Sequence, residues 1–153
     1  MQFIQLSSQS AGLEALFNEI DTLMNSLYPA EANDLIPIEE VDNPNTYLIG
    51  HYDEEELVAC GSYVVKQEQS KYAELKRIYV KPSQRGKGMA KAVIQHLLSQ
   101  AKASGLKQVK LETGNQQHAA IKLYEAFGFE FCNAFGQYRQ EPSSVFMQLS
   151  LEG

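Results

Sequence analysis

Apolar and polar positions alternate in blocks whose period changes along the chain. Gln2–Leu6 has the pattern of a short strand. Leu13, Leu16, Phe17, Ile20, Leu23, Met24 and Leu27 then recur at spacings of three and four, which predicts an amphipathic helix. Ser10 is placed to cap its start and Pro29 to stop it. Residues 30–45 have no strong period and allow one or two helical turns around Leu35. Three β-rich segments follow, Thr46–Tyr52, Leu57–Lys66 and Ala73–Val80. An acidic turn at Asp53–Glu55 and a second turn near Glu68–Lys71 join them as an antiparallel meander. After Pro82, Gly86–Ser104 reads as a helix turning Val93, Ile94, Leu97, Leu98 and Ala101 inward, ended by Gly105. Gln108–Thr113 is a strand, and Gln116–Phe127 a helix with Ala120, Leu123, Tyr124 and Phe127 on one face. Phe129–Asn133 and Val145–Leu151 are the last strands. The order predicts an α+β fold, mostly antiparallel, with one parallel crossover in its second half.

The chain has 153 residues, no repeat and no linker, so one domain over 1–153 is expected. It contains no apolar run long enough to span a bilayer and no leader-like N-terminus, so no membrane association is expected. Cys60 and Cys132 read as reduced thiols, which implies a cytoplasmic protein. His51, His96 and His118 share no ligand spacing with each other or with the cysteines, so no metal is expected. The net charge of −6 hides a split: residues 1–65 carry twelve acids and no Lys or Arg, whereas all 13 basic residues follow. Lys76, Arg77, Lys81, Arg85, Lys87 and Lys91 crowd together. Such asymmetry suggests partners of opposite sign for the two halves, or solvated faces that cluster by chance. The acidic balance, with pI ≈ 5.1 and no basic stripe, argues against a nucleic-acid partner.

Chemistry concentrates in Ile78–Ala90. A strand ends, a loop follows, and a helix opens on Gly86 and Gly88, with Arg85, Lys87 and Lys91 beside them. Free N–H groups and a positive dipole end, approached closely through glycine, suit a pyrophosphate. A Gly-rich turn that merely starts a helix would look similar. The Walker pattern is absent. The dinucleotide fingerprint fails at its third glycine, where Lys91 stands, and too few βαβ units follow for a nicotinamide enzyme.

Gln84-Arg85-Gly86-Lys87-Gly88-Met89-Ala90 resembles the Q/R-x-x-G-x-G/A coenzyme A signature of the GNAT superfamily of N-acetyltransferases. Ala120-Ile121-Lys122-Leu123-Tyr124-Glu125-Ala126-Phe127-Gly128-Phe129 is similar to that superfamily's A-x-x-L-Y-x-x-x-G-F signature. The element order matches over nearly the whole chain. Gln117 stands where the second signature often has Asn, and Asn115 is a neighbouring substitute. Leu27-Tyr28-Pro29 and Phe135-Gly136-Gln137-Tyr138 further resemble small bacterial members.

The resemblance implies a mixed central sheet with a parallel split between the fourth and fifth strands, flanked by helices. It implies acetyl-CoA as acetyl donor, an amine acceptor (small molecule, amino acid or peptide), direct transfer in a ternary complex, and a homodimer. Ile78, Tyr79 and Val80 would meet the pantetheine arm, Arg85, Gly86, Lys87, Gly88, Met89 and Ala90 the pyrophosphate, and Gln117 the cofactor from the next helix. Tyr124 would be the general acid for the leaving thiolate, although a core aromatic fits its helix position too. Glu74, six residues before Val80, would be the base. Deprotonating an alkyl amine at pH 7 costs about 3.4 pH units, or roughly 4.6 kcal/mol, a barrier large enough to call for one. Glu74 could instead pair with Lys76, and Glu112 is a weaker alternative. Cys132 lacks an activating neighbour in sequence and reads as packing. Within this frame the acidic half would wall the acceptor site and favour a cationic amine. Tyr28, Glu31, Asn33, Phe135, Tyr138 and Arg139 are candidates for the acceptor pocket, Arg139 for an acceptor that also carries a carboxylate. The rival reading is a non-catalytic acyl-CoA-binding or regulatory module.

Overall fold

The computed structural model describes residues 1–28 and 36–151. The elements run β1 (Ile4–Gln5), α1 (Leu13–Leu27), β2 (Thr46–Asp53), β3 (Glu56–Gln67), β4 (Lys71–Val80), α2 (Met89–Ala103), β5 (Gln108–Gly114), α3 (His118–Ala126), β6 (Glu130–Cys132) and β7 (Ser144–Ser150). Short 3₁₀ turns occupy Ile38–Glu40 and Pro82–Gln84. The seven strands form one sheet in the order β1-β2-β3-β4-β5-β7-β6. All described pairings are antiparallel except β4 with β5. The expected mixed sheet, with its parallel pair between the fourth and fifth strands, is therefore present. Leu35, around which helical turns were expected, lies outside the described residues. Among the described residues no helix is long and apolar enough to cross a membrane.

Apolar periodicity sorts the helices onto the two faces. Leu13, Leu16, Phe17 and Ile20 of α1 bury against Leu48, Leu57, Cys60 and Tyr79. Val93, Ile94 and Leu97 of α2, with Tyr124 of α3, form a separate cluster with Ala73, Leu75, Val109 and Leu111. A third cluster of Tyr72, Phe135 and Phe146, with Tyr138 packed on it, closes the β5–β7 end.

Two helix starts differ from expectation. α1 begins at Leu13, with Gly12 at φ 81 as N-cap. The Ser10 hydroxyl is turned back to accept the Ser7 amide at 2.9 Å, so it caps the preceding turn instead. α2 begins at Met89, not Gly86, because Gly86 and Gly88 both sit in the left-handed region. That conformation cannot continue a right-handed helix, and glycine adopts it without steric cost.

β4 and β5 pair only at Ala73–Val109, Glu74–Lys110 and Leu75–Leu111, and then diverge. The divergence coincides with a bulge in β4. Opposite it the register jumps between Cys60 and Ser62, and Arg77 takes a left-handed φ of 55°. Ladder bonds lost there are replaced by side chains: Ser62 Oγ donates to the Lys76 carbonyl at 2.7 Å, and Cys60 Sγ to that of Arg77 at 3.3 Å. The Arg77 side chain is locked against α1. It donates to Asp21 at 2.8 Å and to the Ile36 carbonyl at 2.9 and 2.6 Å, and its guanidinium lies 3.9 Å from the Phe17 ring centre.

Candidate active site

The divergence of β4 from β5 opens a cleft of about 100 Å³. Leu75 through Tyr79 form one wall and Leu111 through Gly114 the other. Tyr124 borders it from α3, Tyr138 from the β6–β7 loop, and Ile20, Met24 and Tyr28 from the α1 side. The phenol end of Tyr28 packs against the end of β5: a Cβ on Gly114 would come within 1.9 Å of its Cζ. The Tyr28 hydroxyl accepts the Gln116 amide at 3.2 Å, tying the end of α1 to the turn after β5.

Backbone polarity along the cleft follows from register. Tyr79 pairs with Cys60, and the Lys81 amide donates to the Val58 carbonyl, so both face β3. By alternation Ile78 and Val80 turn their peptide groups to the open side. The resemblance groups Tyr79 with them as a cofactor contact. Its peptide group is committed to β3, and its hydroxyl donates to Glu19 at 2.6 Å. Burial and the Glu19 carboxylate push that phenol up to about 12.

In the loop that follows β4, Gly86 and Gly88 hold φ of 83° and 78°, with open space where a Cβ would stand. The Ala92 amide is bonded to the Gly88 carbonyl, so the amides of Met89, Ala90 and Lys91 form the free N-terminal edge of α2. The Met89 side chain is buried in the core, which leaves only its backbone for a ligand. Arg85 folds back. Its Nε donates to the Val80 carbonyl at 3.0 Å, and its guanidinium lies 5.5 Å from the Tyr79 ring. Lys87 reaches Gln84 at 3.2 Å. Gln117 is the N-cap residue of α3, without a side-chain cap bond. Asn115, its neighbouring substitute, is spent on the Pro142 carbonyl.

Tyr124 is buried, 5.6 Å from Phe129 in an edge-to-face pair. Desolvation raises its phenol well above the ordinary value, so it stays protonated through neutral and mildly alkaline pH. Glu74 is 2% exposed and does not line the cleft. Its Oε2 accepts the Tyr138 hydroxyl at 2.5 Å and pairs with Lys76 Nζ at 3.3 Å. Alternation puts Glu74 and Lys76 on one face of β4, and the aromatic cluster covers them. Glu112, the alternative base, lines the opposite wall and accepts from Ser144 at 2.8 Å.

The charge split resolves differently from expectation. None of the described acids of residues 1–65 lines the cleft. Asp21 is spent on Arg77, while Glu19 and Glu56 hold Lys81. What the first half contributes is apolar, because the inward stripe of α1 ends at Ile20, Met24 and Tyr28. Of the acceptor candidates, Tyr28 and Tyr138 line the cleft, and Phe135 packs behind Tyr138. Arg139 is exposed, and Glu31 and Asn33 lie outside the described residues. Cys132 is half-buried off the cleft, its thiol raised by desolvation. Cys60 is pushed up to about 12 by burial. Among the described residues no three His, Cys, Asp or Glu side chains gather as metal ligands would. Sequence reasoning missed Arg77 and the wall formed by Ile20 and Met24. No sequence signal marks a non-glycine residue in the left-handed region, but the C-terminal half of the α1 stripe did point inward.

A family model described as acetyltransferase (GNAT) family matches residues 13–129. The chain is 33% identical over 139 residues to the uncharacterised N-acetyltransferase YsnE of Bacillus subtilis, covering 90% of this chain and 91% of that one. It is likewise 33% identical over 136 residues to the IAA acetyltransferase of Azospirillum brasilense, covering 89% and 88%. Among solved structures, a Klebsiella pneumoniae protein described provisionally as an acyl-CoA N-acyltransferase superposes with TM-score 0.79 at 28% identity, over 98% of this chain and 97% of that one. The PaiA N-acetyltransferase of Thermoplasma acidophilum, in complex with coenzyme A, superposes with TM-score 0.70 at 18% identity, over 97% and 98%.

Proposed function

The chain belongs to the GNAT acetyltransferase family, and we propose on that premise that it moves an acetyl group from acetyl-CoA to an amine by direct attack in a ternary complex. The observation that carries this reading is the cleft between diverging parallel strands, with a left-handed glycine turn and a helix N-terminus at one end and a buried tyrosine beneath it. The amides of residues 86–91 and the α2 dipole hold the pyrophosphate, with Arg85 and Lys87 beside it. Ile78 and Val80 offer peptide groups to the pantetheine arm, and an amide there polarises the thioester carbonyl. Gln117, at the start of α3, meets the cofactor with its side chain, which caps nothing in the helix, since its amide and carbonyl are bonded to Gly114 and Ile121. Glu74 takes one proton of the ammonium form, the freed amine attacks the carbonyl carbon, the C–S bond breaks as Tyr124 protonates the departing sulfur, and the second N–H proton, made acidic by C–N bond formation, restores the Tyr124 phenol.

The acceptor is an amine of a small molecule, amino acid or peptide. With apolar Ile20, Met24 and Tyr28 on its open side, the cleft favours an acceptor with a carbon skeleton to bury over one chosen by positive charge alone. A panel of primary amines, scored by free-thiol release from acetyl-CoA, tests this directly. Turnover with at least one amine is expected. Calorimetric binding of acetyl-CoA without release for any amine would favour the non-catalytic acyl-CoA module instead.

A further inference from the structure

Glu74 is walled off from the cleft, whereas Lys76 and Tyr138 border it. Both meet the carboxylate at the same oxygen, Tyr138 Oη at 2.5 Å and Lys76 Nζ at 3.3 Å. Lys76 Nζ also donates to Tyr138 Oη at 3.3 Å, closing a triangle. The three groups differ in what they can do with a proton. An ammonium donates only, whereas a phenol oxygen donates its own hydrogen and accepts another on a lone pair. A concerted transfer between cleft and carboxylate by way of these side chains therefore runs through Tyr138, because Lys76 has no lone pair until it has itself lost a proton. Its ring is held edge-to-face by Phe135 and Phe146, at 5.3 and 5.5 Å between centres, which fixes the oxygen in place.

We propose that Tyr138 is the proton relay between the acceptor amine and Glu74, a role that rests on reading Glu74 as the base. One N–H proton of the acceptor ammonium moves to Tyr138 Oη as the Tyr138 hydroxyl proton moves to Glu74 Oε2. The phenol is neutral before and after, the carboxylate becomes a neutral acid, and the amine nitrogen keeps the electron pair that forms the new C–N bond. Lys76 is a positioning residue: its charge balances the buried carboxylate between turnovers and holds the triangle.

The test is the pH dependence of kcat/KM for wild type, Tyr138→Phe, Glu74→Gln and the double variant, with acetyl-CoA and whichever of spermidine, glycinamide, phenethylamine or tryptophan wild type acetylates fastest. Tyr138→Phe keeps the ring and its packing, and circular dichroism and acetyl-CoA affinity check each variant's fold. The relay predicts about a hundredfold loss at pH 7 in either single variant, shrinking toward the amine's own pKa near 10, and no further loss in the double variant. A wild-type profile for Tyr138→Phe beside an impaired Glu74→Gln overturns the relay but keeps the base. Wild-type profiles for both overturn the base as well. If wild type acetylates none of the four amines, the transfer reading falls and the relay with it.

Discussion

At the residue scale, two substitutions separate chemistry from packing. Tyr124→Phe deletes one oxygen and keeps the edge-to-face contact with Phe129. Because desolvation already makes this phenol a reluctant acid, and coenzyme A is a moderate leaving group, kcat should fall about tenfold to a hundredfold without vanishing. Acetyl-CoA affinity and melting temperature should hold. A wild-type kcat would return Tyr124 to the core. The same raised phenol predicts no alkaline loss of kcat from Tyr124 below about pH 10, since the proton to be donated is still in place. At Gly88, φ of 78° is strained for a β-branched residue, and the space above the turn is open. Gly88→Val should weaken acetyl-CoA binding at least tenfold, about 1.4 kcal/mol by calorimetry. An unchanged affinity in a folded variant would remove the loop from the binding site.

At the scale of elements, the bulge of β4 does what no single side chain could: it stops a strand from pairing with its neighbour. Much of this level was legible beforehand. Period and turn residues marked every strand, and the two signatures placed α2, α3 and the split. What escaped was set by contacts far apart in sequence. The start of α2 moved to Met89 because two left-handed glycines precede it, a conformation that composition allows but does not require. Ser10 lost its cap role to a local bond with Ser7, and three of the twelve acids, Glu19, Asp21 and Glu56, are held by Lys81 and Arg77, which only the folded sheet brings near. Tyr138 was legible as an acceptor candidate, but its bond to Glu74 spans 64 positions and leaves no trace in spacing. The packing of Tyr28 on Gly114 yields an element-scale prediction. Gly114→Ala forces the Tyr28 ring off the end of β5 and breaks its bond to Gln116. Stability should drop by about 1–3 kcal/mol in urea titration, with KM for the acceptor rising more than that for acetyl-CoA. Equal changes in both constants would show that Tyr28 does not wall the acceptor side.

Across the whole molecule, buried neutral groups set an alkaline limit. Cys60, whose ordinary value is 9.0, is held up at about 12, and Tyr124 is raised from 10.0. Both stay protonated in the folded chain while the unfolded chain ionises, so the unfolded state binds fewer protons and stability falls as pH rises. The decline should begin near pH 9 with Cys60 and steepen above pH 10, by up to about 1.4 kcal/mol per pH unit for each group. A flat denaturation midpoint between pH 8 and 11 would contradict the burial of these groups. Ligand binding opposes this loss: acetyl-CoA at 100 times its Kd should add about 2.7 kcal/mol and raise Tm by roughly 5–10 °C.

The parting of β4 from β5 also means that the sheet carries an edge in its interior, and this leaves a mark on solvent exchange. Amides of one strand should differ sharply by turn. Those of Tyr79 and Lys81, bonded toward β3, should retain their hydrogens for long periods in heavy water. Those of Ile78 and Val80, only one residue away, should be replaced quickly. A ligand that adds itself to the open side as a short extra strand would erase the alternation, slowing Ile78 and Val80 while leaving Tyr79 and Lys81 as they were.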